Sequence, residues 1–144
     1  MRAKARQLAE LIDRLGRLPL PDHELPTAVD GGDTLVHLDL HPGNVILTAD
    51  GPIVIDWSNA GLGVAGLDAA NTWLTLSAGQ PEGSALVNTV VAVGRRFFVR
   101  AFVSSIDRAA AVAVLPTALE FRLLDPNQSD AERATMQELV ERVA

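Results

Sequence analysis

The chain has no cysteine, and none of its apolar runs approaches the roughly 20 residues that a membrane-spanning helix needs. Without cysteine it forms no disulfide and no thiolate zinc site, and it offers no thiol nucleophile. Gln7, Glu10 and Asp13 interrupt the N-terminal region, so no secretory signal is predicted there. These absences predict a cytoplasmic protein with no membrane partner.

Positive charge is also scarce. Among 144 residues, 12 Lys and Arg stand against 18 Asp and Glu, which gives a formal net charge of -6. This balance disfavours a nucleic-acid partner and weakly favours a cationic small molecule through long-range steering. Hydrophobic residues make up 48% of the sequence, so we expect a folded core and one domain over residues 1–144.

One stretch of the chain indicates specific chemistry. Residues 37–44 read HLDLHPGN, and Asp56 follows at the end of the apolar segment IVID. Phosphoryl transfer needs a carboxylate that orients and deprotonates the acceptor hydroxyl, and an amide and a second carboxylate that hold magnesium. Asp39, Asn44 and Asp56 supply these groups in the order of the H-x-D-x-x-x-x-N catalytic loop of kinases. No Arg stands between His37 and Asp39, and Trp57 follows Asp56 in place of Phe, which points away from protein kinases.

The surrounding segments, HLDLHPGNVIL and IVIDWSNAGLG, resemble the aminoglycoside phosphotransferase and choline kinase family of small-molecule kinases. The resemblance is close from about residue 35 to 76. It implies an α+β, mostly helical fold: the C-terminal lobe of a protein-kinase-like fold, with a small β-hairpin carrying catalytic and metal-binding residues. It also implies ATP or GTP as donor, Mg²⁺ as cofactor, and a small-molecule acceptor such as an aminoglycoside or a choline-like amine. By the same resemblance, Asp39 is the base, Asn44 and Asp56 are metal ligands, and His37 and Asp68 brace the catalytic loop.

The spacing between Asn44 and Asp56 predicts how the two metal ligands meet. Apolar segments at 45–48 and 52–55 flank Ala49-Asp50-Gly51, which is a strong turn signal, so a β-hairpin with a three-residue turn is expected. In that register Asn44 lies opposite Asp56, with Cβ atoms roughly 5 Å apart. Oxygen ligands at that separation can share one Mg²⁺. We therefore predict a catalytic loop over 35–44 and a metal-binding hairpin over 44–56.

Some of these residues also have simpler interpretations. His37 ends the apolar run 34–36, where a histidine is more often structural than catalytic. His41 could contact phosphate or substrate, or could equally face solvent. Asp68 precedes an apolar helical stretch, so it could be the N-cap of that helix, which is compatible with bracing the loop.

The glycines at 61–66 match G-x-G-x-x-G, but no strand-helix-strand unit with an acidic residue about 20 positions later surrounds them. A dinucleotide site is therefore not predicted. We expect a flexible segment there.

The remaining chain, with the helical part at 68–144, is expected to be scaffold. Residues 2–16 place apolar side chains at the spacing of one buried helical face. Arg95, Arg96 and Arg100 could contact phosphates, although a charged helix face is the simpler interpretation. Three further helices are expected: 85–106 capped by Ser84, 109–124 bent or broken at Pro116, and one opened by the capping box Ser129-x-x-Glu132.

A kinase also needs a Gly-rich loop over the phosphates and a strand-borne lysine. Neither is predicted before Asp39, because only 38 residues precede it and the only lysine, Lys4, lies on the first predicted helix. We therefore expect the N-terminal nucleotide-clamping lobe to be absent and supplied, if at all, by a separate chain. Two alternatives stay open: a truncated, non-catalytic lobe that acts as an interaction module or self-associates, and a Mg²⁺-dependent phosphohydrolase that uses Asp39 and Asp56.

Overall fold

The computed structural model describes residues 1–22, 24–79 and 85–143, with the side chains of 85–90 excluded. These residues form six α-helices and two small antiparallel sheets, so the fold is α+β and mostly helical, as predicted. None of the helices in these ranges has the length and apolar character that a bilayer span requires. The helices are α1 (Arg2–Leu15), α2 (Leu67–Ala78), α3 (Ala85–Val103), α4 (Arg108–Ala113), α5 (Leu115–Leu123) and α6 (Asp130–Val143). The strands are β1 (Thr34–Val36), β2 (Val45–Thr48), β3 (Gly51–Val54) and β4 (Gly61–Gly63).

The predicted hairpin forms from β2 and β3, but its register differs by one residue from the prediction. Thr48 pairs with Gly51, and Val45 pairs with Val54. The turn therefore has two residues instead of three, because Gly51, at φ 122°, joins the ladder and its carbonyl accepts a hydrogen bond from Thr48 Oγ1 at 2.8 Å. The slip places Asn44 beside Ile55, whose N–H donates to the Asn44 carbonyl at 3.0 Å. The predicted direct opposition of Asn44 and Asp56 is wrong.

The glycine segment after Asp56 is also different from the prediction. Gly61–Gly63 is not a flexible link but strand β4, which pairs with β1 in antiparallel register. Glycine is needed at two of these positions because neighbours approach closely. A Cβ on Gly61 would lie 2.5 Å from the Pro26 carbonyl oxygen, and one on Gly63 would lie 2.9 Å from Val36 Cγ2.

The helical scaffold largely follows the sequence signals. Helix α1 is confirmed, and α3 ends three residues before the predicted end, while its proposed cap Ser84 lies outside the described residues. The predicted break near Pro116 is confirmed: α4 and α5 separate at Val114, and Pro116 occupies the first turn of α5, where its missing N–H costs no helical hydrogen bond. The capping box is present, with the Ser129 N–H donating to Glu132 Oε2 at 2.9 Å.

Helix α2 lies at the centre of the core and packs against each of the other five helices. Residues 67–74 are all buried, and three of them, Asp68, Asn71 and Thr72, are polar. A buried polar group that lacks a partner costs about 1–3 kcal/mol, so these side chains must bond to something inside the fold. Their partners are the backbone of the loop between β1 and β2.

Candidate functional site

The loop that carries Asp39 begins with a strained backbone. Leu38 has φ 63°, in the left-handed region that a leucine rarely adopts. The Asp68 carboxylate stabilises this conformation by accepting hydrogen bonds from the N–H groups of His37 at 2.8 Å and Leu38 at 2.7 Å. Asp68 is therefore not the N-cap of α2, which begins one residue earlier and has Gly66 at that position. Burial raises the pKa of the Asp68 carboxyl above its ordinary value of 3.8, opposed by these two hydrogen bonds.

The same face of α2 holds the next residues of the loop. Asn71 donates from Nδ2 to the Leu38 carbonyl, and Thr72 Oγ1 donates to the Leu40 carbonyl at 2.6 Å. Asp68, Asn71 and Thr72 stand at i, i+3 and i+4, which places them on one face of the helix. Helix α2 thus binds the backbone on both sides of Asp39.

His37 connects the loop to the end of the hairpin. Its ring is fully buried, Nδ1 accepts from the Asp39 N–H at 3.3 Å, and Nε2 lies 3.0 Å from the Ile55 carbonyl. Both contacts are satisfied only by the tautomer with the proton on Nε2. The ring also packs against Trp57, with centroids 4.9 Å apart.

The Asp39 side chain is half-buried and has polar neighbours on both oxygens. Asn44 Nδ2 donates to the Asp39 carbonyl at 2.9 Å and to Oδ2 at 3.3 Å. Arg122 Nη1 donates to Oδ1 at 3.2 Å. Because these donors fix the carboxylate from two sides, Asp39 has a defined orientation before any ligand binds.

Arg122, on α5, was not identified from the sequence. Its side chain is 8% exposed, and its Nη2 lies 3.8 Å from Asp125 Oδ2. Its Nε is buried and has no hydrogen-bond partner among the described residues. A backbone hydrogen bond from Asn127 lowers the pKa of Asp125, so this carboxylate stays charged beside the guanidinium. Arg122 is thus a buried cation between two carboxylates.

His41 lies at the edge of the site. Its Nδ1 accepts a hydrogen bond from the Gly43 N–H at 3.1 Å, which caps the short 3₁₀ turn Pro42–Asn44. Its Nε2 is 3.7 Å from Asp39 Oδ2. Gly43 leaves room for the ring, since a Cβ there would be 2.8 Å from His41 Cε1. His41 therefore lies beside Oδ2, the oxygen of the Asp39 carboxylate that Arg122 does not contact.

Asn44 and Asp56 lie at the open end of the hairpin, where Asn44 is buried and Asp56 is exposed. The Asn44 amide uses Nδ2 for its bonds to Asp39, and no hydrogen bond among the described residues occupies its Oδ1. Asp56 has φ 60°, so it leaves the strand conformation and the side-chain alternation of β3 no longer applies to it. Leu38 and Asp56 are the two non-glycine residues with positive φ in the described chain, and such strain concentrates at functional sites.

The Asp56 carboxylate is exposed and ionised. Ser58 Oγ donates to its Oδ1 at 2.7 Å, and this bond is the main cause that lowers the pKa of Asp56 below 3.8. Mg²⁺ prefers oxygen ligands and is commonly held by one or two protein groups plus waters and phosphates. Asn44 Oδ1 and Asp56 fit that chemistry. In the described ranges, at this site or elsewhere, no three His, Asp or Glu side chains cluster closely enough to hold a metal by themselves.

Three residues at the site, Asn71, Thr72 and Arg122, were missed by sequence reasoning. The first two had a signal: with Asp68 they form a polar i, i+3, i+4 set within residues 67–74, which are otherwise apolar. Arg122 had none, because nothing in the sequence distinguishes it from the other arginines. Its contact with Asp39 depends on how α5 packs against α2.

In comparison with known proteins, residues 2–105 match the family model of the phosphotransferase enzyme family. The matched range contains the Asp39 loop, the hairpin and α2, and it ends before α4. No curated protein and no solved structure matches the chain. Arg122 therefore lies outside the region that the family model covers.

Proposed function

Because the chain belongs to the phosphotransferase enzyme family, we propose that it carries the catalytic lobe of a small-molecule kinase. The reaction would transfer the γ-phosphoryl group of ATP or GTP to a hydroxyl of a small acceptor, such as an aminoglycoside or a choline-like amine. The lobe would have the protein-kinase-like fold that the resemblance implies and would function in the cytoplasm.

Asp39 would act as the catalytic base. Its Oδ1 is held by the buried Arg122 cation, whereas Oδ2 accepts a 3.3 Å hydrogen bond from the neutral Asn44 amide and lies near His41, so Oδ2 is the oxygen that would receive the proton of the acceptor hydroxyl. Such transfer relies on positioning and electrostatics more than on strong basicity, and a carboxylate that is already oriented suits it. His41 would contact the transferred phosphoryl group or the acceptor, and His37 and Asp68 would hold the loop.

Asn44 and Asp56 would hold Mg²⁺ on the nucleotide phosphates, where the cation offsets developing negative charge. The observation that carries the proposal is the double hydrogen bond from Asn44 Nδ2 to Asp39. It connects the proposed base to a proposed cation ligand through Asn44 Nδ2. Asn44 Oδ1, which has no hydrogen bond among the described residues, would then bind the cation. A plain turn asparagine would have no need of that arrangement.

The exposed face of the hairpin supports a partner above the site. Ile46 and Ile53 pair directly across the strands and are 49% and 52% exposed. Two aliphatic side chains of that exposure next to Asn44 and Asp56 favour coverage by another surface. We propose that the nucleotide-clamping lobe covers this face and comes from outside these residues, since the chain has no lysine apart from Lys4.

Calorimetric titration with ATP, with and without Mg²⁺, tests the proposal. The wild-type chain is compared with Asp56→Ala and with Asp50→Ala, a matched control that removes an exposed carboxylate from the hairpin turn. We expect saturable binding that requires Mg²⁺ and Asp56 but not Asp50.

Binding that is equal in both variants would contradict the assignment of Asp56. Absence of binding by the folded chain would mean either that nucleotide binding requires the separate clamping lobe or that this lobe is a non-catalytic interaction module, with the hairpin face of Ile46 and Ile53 as its contact surface. Phosphate release without an acceptor would favour a phosphohydrolase.

A further inference from the structure

Most of the basic residues of this acidic chain lie on one surface. A groove of about 670 Å³ between α1 and α3 is lined by Arg2, Arg6 and Arg100. A second groove, of about 1070 Å³, is lined by Arg100 and by four more arginines: Arg95, Arg96, Arg108 and Arg142. Among the described residues, no Asp or Glu lines either groove. Seven of the 12 basic residues of the chain therefore line these two grooves.

These arginines are hardly neutralised within the fold. Arg6 pairs with Glu10 at 3.5 Å in an exposed contact, which contributes little. In the ranges that the structure describes, the other six form no ion pair. The Arg108 guanidinium lies over the Trp73 ring, 5.9 Å from its centroid. Gathering like charges costs free energy through self-repulsion, and an anionic ligand removes that cost.

The two grooves meet at a ridge on α3. Phe97, Arg100 and Ser104 line both grooves and stand at i, i+3 and i+7, on one face of the helix. Phe97 is 59% exposed, and Val91 and Val93 on the same helix are also exposed. The exposed Phe97 therefore stands on the ridge between the two grooves, with arginines on both sides of it.

We propose that this arginine surface binds the face of an anionic phospholipid bilayer. Arginine forks suit phosphate groups, which would enter the two grooves, while Phe97 and Val93 would contact the apolar boundary beneath them. A small ligand confined to one groove would leave the arginines that line only the other groove without a partner. The sequence predicted no membrane partner because it has no spanning run, but a peripheral contact needs none.

A single-stranded nucleic acid would also seek positive charge, yet the surface suits it less well. Base stacking needs exposed aromatic rings, and Trp73 is buried beneath Arg108. Phe97 is then the exposed ring on this surface, and its apolar neighbours are aliphatic. Asp39, Asn44 and Asp56 line neither groove, so this surface is independent of the proposed phosphotransfer site.

Vesicle flotation tests the proposal with the whole chain. The probes are vesicles of phosphatidylcholine alone and of equal parts phosphatidylcholine and phosphatidylglycerol. Arg96→Glu with Arg100→Glu reverses two exposed arginines of the surface, and Arg14→Glu with Arg17→Glu makes the same charge change at the end of α1 and just after it, outside both grooves. Circular dichroism establishes that each variant keeps its helical content.

We expect binding to the anionic vesicles that weakens as salt rises, and a loss of at least about tenfold in the first variant but not in the second. Phe97→Ser should also weaken binding. Equal binding to both kinds of vesicle, no binding to either, or equal losses in the two double variants would overturn the proposal. Tight binding of a single-stranded oligonucleotide through the same arginines, without vesicle binding, would replace the bilayer with a nucleic acid.

Discussion

Arg122 Nη1 donates a hydrogen bond to Asp39 Oδ1 at 3.2 Å, although the two residues are 83 positions apart. The contact joins α5, outside the matched range 2–105, to the loop that lies within it. Arg122 is buried and its second partner is Asp125, so the guanidinium is held in place from the side away from Asp39. Asp39 is thus oriented by a residue that the motif does not contain.

Replacing Arg122 should disorder the Asp39 carboxylate. In Arg122→Met we expect turnover to fall by about two orders of magnitude with little change in the KM for nucleotide, because a misplaced base costs positioning and not binding. Arg122→Lys should restore part of the loss. Arg133→Met is the matched control, since Arg133 bonds to the backbone of Leu123 and Asp125 in the same region.

A second readout of the role of Arg122 needs no activity: the NMR signals of the Asn44 side-chain amide should shift in Arg122→Met and not in the control. Unchanged signals would mean that Arg122 does not orient Asp39.

Asp39 itself is predicted to serve the chemical step and not nucleotide binding. Asp39→Asn keeps the shape of the side chain but removes the base, so turnover should be lost while Mg²⁺-dependent nucleotide binding is retained. Steady-state kinetics and calorimetry on the same preparation measure the two effects. If Asp39→Asn kept full turnover, Asp39 would not be the base.

Asp68→Asn should destabilise the fold by about 2 kcal/mol. The carboxylate accepts hydrogen bonds from two backbone N–H groups. An asparagine can accept from only one of them, and its own amino group would face the other N–H, so these two donors would lack an acceptor. Urea unfolding at unchanged m-value measures the loss. Asp107→Asn is the control, because Asp107 caps α4 through the Ala110 N–H and asparagine caps equally well. Equal effects of the two substitutions would contradict a bracing role for Asp68.

The destabilisation by Asp68→Asn should also depend on pH. Burial raises the folded-state pKa of Asp68 above 3.8, so between that value and the raised pKa the folded chain binds more protons than the unfolded chain. The stability that Asp68 contributes is therefore fully present at low pH and declines as pH rises through this window. The free-energy difference between the wild type and Asp68→Asn should shrink as pH rises. A difference that grew with pH would mean that the two N–H bonds outweigh burial.

Thr72→Val should loosen the loop after Asp39. Valine removes the hydrogen bond to the buried Leu40 carbonyl and keeps the volume, at a cost of about 1–2 kcal/mol. Thr75→Val is the matched control, because Thr75 Oγ1 bonds back to the Asn71 carbonyl within the same helix. Thermal unfolding compares the two, and amide exchange at residues 38–41 should quicken in Thr72→Val alone. Equal exchange in both variants would contradict the role of Thr72.

Much of the local structure could be predicted because its causes are local. The spacing of apolar residues predicted α1, and Pro116 predicted the separation of α4 and α5. The capping box of Ser129 and Glu132 predicted the start of α6. The hairpin was predicted but its register was not, since Asp50-Gly51 allows either a two- or a three-residue turn. Whether Gly51 belongs to the turn or to the ladder depends on hydrogen bonds such as the one from Thr48, which pattern alone does not determine.

The sequence by itself determined the family and the set of chemical groups: a carboxylate, an amide and a second carboxylate at fixed spacing. Tertiary structure decided how those groups are held. The left-handed Leu38, the four hydrogen bonds between one face of α2 and the loop, and the buried Arg122 all arise because helices distant in sequence pack around the loop. Residue type specifies which chemistry is available, but orientation and charge environment depend on neighbours that only the folded chain brings together.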